Sequence, residues 1–169
     1  HEETKFDELM NLIEKEKIKL KSKIPIVVKI SPDIKNDQAN MISDILLQYK
    51  VSAIIVSNTT EVNRENLKDI QRHQKGGLSG KPIEEKSNKL ISTFYNLLGG
   101  KIKIIGVGGV DSGKSAYKKF LAGASYIQLY TGMVFQGPNI VGKIKKELKE
   151  LLISDGVANF KEIIGKKHK

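Results

Sequence analysis

Four short apolar runs, Ile26–Ile30, Ser52–Val56, Ile102–Val107 and Ser125–Leu129, alternate with amphipathic stretches of helical period, and this alternation constrains the fold more than any other feature. Strand and helix in strict alternation imply a parallel sheet with right-handed crossovers. The runs are short, continuous and rich in Val and Ile, as expected of parallel strands covered by helices. The spacing predicts helices over Thr4–Lys21, Gln38–Tyr49, Pro82–Leu98 and Gly137–Ile153, a helix opened by a Ser112 cap, and a short terminal helix over Asn159–Ile164. Expected core faces are Phe6, Leu9, Leu12, Ile13 and Leu20 in the first helix, Met41, Ile45 and Leu46 in the second, and Val141, Ile144, Leu148 and Leu151 in the last. Residues 1–23 read as a leading helix, and 24–169 as four βα units closed by a terminal helix and a basic tail. Four units suit an open sheet or one half of a closed (β/α)8 barrel. Both architectures place ligands beyond the C-terminal ends of the strands.

The polar and glycine-rich residues sit at those ends. Lys29 closes the first strand, and Ser57-Asn58-Thr59-Thr60 follows the second. Gly106, Gly108 and Gly109 end the third, and Tyr130-Thr131-Gly132 follows the fourth. Free backbone N–H groups at two neighbouring strand ends, with a helix N-terminus beside them, make an anion site. Lys29 has two readings: a strand-end lysine whose ammonium reaches water, or a fixed cation facing a cofactor that becomes anionic. Asn58, Thr59 and Thr60 offer amide and hydroxyl groups without a titratable proton. They suit recognition of a planar polar ligand, or form a turn and cap. The long polar connection from Glu61 carries Gly76-Gly77-Leu78-Ser79-Gly80, in which Ser79 can donate or accept.

One motif points elsewhere. Gly108–Ser115 satisfies GxxxxGK[ST] between a strand and a helix, the spacing of a phosphate-binding P-loop. The strand that follows, SYIQLY, ends without the Asp that helps hold Mg²⁺, and only one βα unit comes after it. The dinucleotide pattern GxGxxG fails at Asp111. His1, His73 and His168 have no ligand spacing, and the chain has no cysteine, so no metal site is expected. The net charge of +10 raises nucleic acid as a partner, but the lysines are interspersed with glutamates on helix faces and do not interleave with aromatics. No run reaches the about 18 apolar residues of a membrane helix. With 169 residues the chain is shorter than a complete barrel of roughly 250. It starts with His1 inside a charged helix, so a piece of a longer protein is expected.

Taken as a set, VKISPD (Val28–Asp33), SNTT (Ser57–Thr60), GGLSGKP (Gly76–Pro82), IIGVGGVDSG (Ile104–Gly113) and AGASYIQLYTG (Ala122–Gly132) resemble the C-terminal half of dihydroorotate dehydrogenase in order and spacing. Leu129-Tyr130-Thr131 is similar to the quinone-linked class 2 enzymes. The resemblance implies a (β/α)8 barrel that holds FMN at the C-terminal mouth of its strands and oxidises dihydroorotate to orotate in pyrimidine biosynthesis, with ubiquinone as electron acceptor. It implies Lys29, Ser57, Ser79, Gly80, Gly108, Gly109, Tyr130 and Thr131 as FMN contacts, and Asn58 and Thr59 as contacts of the orotate ring. Tyr130 and Pro138 would border the quinone path.

The catalytic base of that class is a serine upstream of a helix like Glu2–Lys23. It is therefore expected outside this chain, as are the first half of the barrel and the N-terminal segment that meets the membrane. The implied location is the mitochondrial inner membrane in a eukaryote or the cytoplasmic membrane in a bacterium. The chain alone is expected to be inactive. The alternatives are a tRNA-dihydrouridine synthase-like flavin barrel, a P-loop nucleotide-binding module, and a non-catalytic half-barrel paired with another chain.

Overall fold

The computed structural model describes residues 2–62 and 64–168. Expectations that touch His1, Asn63 and Lys169 lie outside the described residues. Ten main elements follow in order: α1 (Glu2–Lys19), β1 (Val27–Ile30), α2 (Asn36–Gln48), β2 (Ala53–Val56), α3 (Glu84–Leu98), β3 (Lys103–Val107), α4 (Gly113–Ala122), β4 (Tyr126–Gln128), α5 (Thr131–Gln136) and α6 (Ile140–Ser154). The four strands are all parallel and lie side by side in chain order. This is the α/β arrangement of the C-terminal half of a (β/α)8 barrel.

Strand alternation sorts the sheet into two faces. Ile30, Val56, Gly106 and Ile127 are in register on the face covered by helices. Ile54, Ile91, Phe94 and Leu46 are fully buried there, at 0% exposure, with Ile104 and Leu98 beside them. Each such side chain contributes about 1.5–3 kcal/mol of burial free energy. The opposite face carries the register row Lys29, Ile55, Ile105 and Tyr126. No described element covers that face, and Val27 and Tyr126 stand 42% and 59% exposed. A second, smaller core of Val110, Ala116, Ile140 and Ile144 joins α4 and α6 behind the end of β3.

The helix boundaries have local causes. Ser112 caps α4 by accepting from the Ser115 N–H at 3.3 Å. Gly99 ends α3 in the left-handed region at φ +55°, where a glycine carries no Cβ penalty. The loop after β2 is tied at its base by paired backbone hydrogen bonds between Thr60 and Leu78, of 3.1 and 2.7 Å. Within it the Arg64 guanidinium donates to the Gln74 and Gly76 carbonyls.

Three expectations need correction. In α1 the buried residue is Met10, flanked by partly buried Phe6 and Ile13, while Leu9, Leu12 and Leu20 are exposed. The helix packs along one narrow stripe onto α2, Leu9 and Leu12 face away from it, and Leu20 lies past the helix end. In α6, Ile140 rather than Val141 is buried beside Ile144, because the helix turns a different stripe to α4. The segment after β4 is not a plain turn but a separate helix, α5, closed by Gly137.

Candidate functional site

One cleft of about 1020 Å³ opens at the C-terminal ends of the four strands. It brings together the ten residues expected to contact FMN or orotate, Lys29, Ser57, Asn58, Thr59, Ser79, Gly80, Gly108, Gly109, Tyr130 and Thr131, whereas Thr60 is buried behind it and Pro138, expected at the quinone path, is not among its lining residues. They come from four strand ends and from the long loop after β2, whose tied base lays Gly77–Gly80 along the cleft. Ser57 is buried, and its N–H reaches the Val107 carbonyl at 3.3 Å, linking the ends of β2 and β3. The peptide bond before it, Val56–Ser57, is cis. The Asn58 N–H donates to the Ile30 carbonyl at 2.7 Å, which fixes the SNTT turn against the end of β1. The Asn58 and Thr59 side chains are exposed to the cleft and have no hydrogen-bond partner among the described residues.

The opposite wall is built from backbone. Gly109 has φ +74°, and a Cβ there would stand 2.5 Å from the Glu84 Cβ and 2.8 Å from its Cα. Glycine is therefore required both for the turn and for the close approach of α3. The Ser79 and Thr131 hydroxyls are 2.9 Å apart and join the loop to the start of α5. Among the described residues, no acceptor takes the backbone N–H groups of Gly80, Gly108, Gly109, Tyr130 or Thr131. Unpaired N–H donors gathered along one wall favour an anion.

The structure decides two sequence expectations. Of the two readings of Lys29, the strand-end one describes its place in this chain: it is exposed on the sheet face that no described element covers. Its ammonium has no partner among the described residues, and the residue lines the cleft together with Asn58 and Thr59. The anion site expected partly at the N-terminus of α4 is already filled: the Gly113 N–H donates to the Glu147 carboxylate of α6 at 2.6 Å. Ser115, the last residue of the GxxxxGK[ST] pattern, is buried, and its hydroxyl accepts from the Asp111 and Ser112 N–H groups at 3.0 Å each. Lys114 is exposed to solvent. A P-loop needs that helix start and that hydroxyl free, so the pattern is coincidental here.

Sequence reasoning missed several residues. Lys81, Asp111, Gln128 and Gln136 also line the cleft. The Lys81 ammonium contacts Glu84 at 2.6 Å and Asp111 at 3.6 Å. Burial pushes the Asp111 carboxyl up, but hydrogen bonds from Ser112 and Ser115 and the Lys81 charge outweigh it and hold the group below its usual range. Gln128 could have been found from the strand period, since it shares a face with Tyr126 and pairs in register with Val107. Asp33 was legible only as part of a motif. Its carboxylate accepts from the Thr60 hydroxyl at 2.5 Å, from the Glu61 N–H at 3.2 Å and from the Lys86 ammonium, so it ties three segments behind Asn58 and Thr59.

The profile of the dihydroorotate dehydrogenase family matches residues 3–152. The chain belongs to the dihydroorotate dehydrogenase family. It is similar to the "dihydroorotate dehydrogenase (quinone)" of Parvibaculum lavamentivorans, at 36% identity over 94% of this chain and 45% of that protein. The enzyme of the same name from Trichodesmium erythraeum is 42% identical over 85% of this chain and 40% of its own length. The mouse "dihydroorotate dehydrogenase (quinone), mitochondrial" is 39% identical over 94% of this chain and 40% of its own length. The chain thus spans less than half the length of these relatives. Among solved structures, Eimeria tenella dihydroorotate dehydrogenase in complex with ferulenol superposes with a TM-score of 0.83 at 36% identity, covering 86% of this chain and 39% of that one. The ligand-free form from the same organism gives a TM-score of 0.82.

Proposed function

We propose that this chain is the C-terminal part of a single FMN-binding barrel domain in a quinone-linked dihydroorotate dehydrogenase, the enzyme that oxidises dihydroorotate to orotate in pyrimidine biosynthesis. One observation carries the reading: ten residues drawn from separate motifs line one cleft at the strand ends, with hydroxyl and amide groups on one side and free backbone N–H donors on the other.

The residues present fit FMN. The cleft is large enough, and the close packing of Gly109 on α3 leaves a backbone wall that offers N–H groups to a phosphate. Gly80, Gly108, Gly109, Tyr130 and Thr131 would hold the phosphate through their N–H groups, with the Ser79 hydroxyl beside them. Lys29 and Ser57 would contact the flavin ring. When bound, FMN supplies the acceptor for the hydride that leaves dihydroorotate.

Asn58 and Thr59 bind the pyrimidine ring by its amide and carbonyl edges, a task for which their unpartnered side chains are suited. Lys29 would bring a positive charge to the flavin ring, which favours a reduced, anionic ring once the further barrel half covers this face. Asp33 keeps Asn58 and Thr59 in place from behind. The resemblance implies a serine of the first barrel half as the base that removes the substrate proton.

The uncovered sheet face and the unpaired outer edges of β1 and β4 support a further barrel half that completes the domain. Ubiquinone is the electron acceptor, and Tyr130, 79% exposed at the mouth, borders its path. No helix among the described residues is long and apolar enough to cross a membrane; membrane association, mitochondrial or bacterial, is what the resemblance to the quinone-linked enzymes implies for the whole protein.

The test is the visible spectrum of the intact protein, recorded anaerobically before and after addition of dihydroorotate. Flavin bands that bleach support the reading. Flavin bands that persist point to another substrate, and a folded protein without flavin overturns the cofactor assignment.

A further inference from the structure

Lys119 of α4 is completely buried, at 0% exposure. Its stem runs beneath β3, where a Cβ on Gly106 would stand 3.2 Å from the lysine Cδ. The ammonium donates to the Ser87 hydroxyl and to the Asn88 side-chain oxygen, both at 2.9 Å and both on α3. Among the described residues no carboxylate pairs with it, because nearby Glu84 and Glu85 are paired with Lys81 and Lys118. Burial pulls its pKa down to about 8, and the charges of Glu84 and Glu85 oppose that fall. It therefore remains mainly a cation at neutral pH. A buried cation held only by neutral groups is costly, and an apolar side chain of similar size would fill the same space.

Its placement gives it a use. The Ser87 hydroxyl, which accepts from Lys119, donates its own proton to the Val107 carbonyl at 2.7 Å. That carbonyl belongs to the peptide whose N–H is that of Gly108, one of the unpaired donors in the cleft. Ser87 also lies directly under the turn, since a Cβ on Gly108 would meet the Ser87 Cβ at 3.4 Å. A hydrogen bond donated to a peptide oxygen polarises the peptide and strengthens its N–H as a donor, and a charge at the head of the chain strengthens every link.

We propose that Lys119 is a positioning residue for the cofactor phosphate: its buried ammonium acts through the Ser87 hydroxyl and the Val107–Gly108 peptide to make the Gly108 N–H a stronger anion donor. The effect is confined to the phosphate. Lys119 lies behind the wall and is absent from the cleft lining.

The inference rests on the FMN reading, and its test separates the two. Dissociation constants for FMN and for riboflavin, which lacks the phosphate, are measured on the flavin-stripped intact protein, on Lys119→Met and on Ser87→Ala. The expected result is an FMN affinity lowered by about tenfold in Lys119→Met, the scale of one charge-assisted hydrogen bond lost at the head of the chain. Riboflavin affinity stays unchanged, and Ser87→Ala shifts the ratio in the same direction. A general loss of structure would weaken both ligands alike. Equal losses for the two ligands, or an unchanged ratio, overturn the relay while leaving the FMN site standing. Wild-type protein with no preference for FMN over riboflavin overturns the phosphate site and the relay together. If Lys119→Met does not fold, Ser87→Ala decides, because it breaks the chain and leaves the ammonium in place.

Discussion

Replacing Gly109 with alanine tests whether the backbone wall of the cleft is as tightly specified as the structure requires. At φ +74° an alanine enters the left-handed region, which costs roughly 1–2 kcal/mol. Its Cβ also meets Glu84 at 2.5 Å (Cβ) and 2.8 Å (Cα), the second being backbone of α3 that cannot rotate aside. Forcing an extra carbon into such a contact adds about 1–3 kcal/mol, so Gly109→Ala is expected to lose about 2–5 kcal/mol in all. Gly99→Ala is the control. It shares the left-handed backbone at φ +55°, but nothing lies within 4 Å of its added Cβ, so only the conformational part of roughly 1–2 kcal/mol remains. Urea unfolding of the intact protein measures both losses, and the flavin absorbance retained through purification reports on the wall itself. Gly109→Ala is expected to lose flavin as well as stability, and Gly99→Ala to keep its flavin. The reasoning is refuted if the two variants fall within about 1 kcal/mol of each other, since the close approach of Glu84 would then cost nothing.

Asp33→Asn is expected to raise KM for dihydroorotate more than it lowers kcat, because it loosens the turn that carries Asn58 and Thr59; an unchanged KM counts against the clamp. Burial pushes the Asp33 carboxyl up, but hydrogen bonds from Lys86, Thr60 and the Glu61 N–H outweigh it and hold the group below its ordinary value of 3.8. Its contribution to stability is therefore present above pH 3.8 and is lost as pH falls through the lowered value. The stability gap between wild type and Asp33→Asn should close in that acid range, as followed by thermal unfolding across pH. Glu147→Gln should destabilise the protein by about 1 kcal/mol, since it removes the charge at the start of α4; chemical denaturation with no change would show the Gly113 contact to be idle. Lys114→Ala should change stability by less than about 0.5 kcal/mol and leave magnesium-dependent ATP binding absent before and after; ATP binding that the substitution abolishes would restore the P-loop reading.

Much of the site was legible because its residues lie within a few positions of strand ends, where the chain pattern itself fixes their place. Ser57, Asn58 and Thr59 follow a run of β-branched residues, and Gly108 and Gly109 follow another. In a parallel sheet with right-handed crossovers, both ends must open on the same side. Lys81, Gln136 and Lys119 were not legible. Each acts through a partner that local spacing does not announce, such as Asp111 for Lys81, the Asp111 carbonyl for Gln136, and Ser87 with Asn88 for Lys119.

By itself the sequence determined the alternation of strands and helices, the Ser112 cap, the stop at Gly99 and the gathering of polar residues at one end of the sheet. These follow from periodicity and backbone preference, which act over a few residues. Only the tertiary structure decided which helix stripe is buried, that Glu147 takes the helix start a P-loop would need, and that Lys119 is sealed beneath the cleft wall. Those outcomes depend on contacts between residues more than 30 positions apart, such as Gly113 with Glu147 and Lys119 with Ser87, which arise when whole elements pack together and which no local pattern encodes.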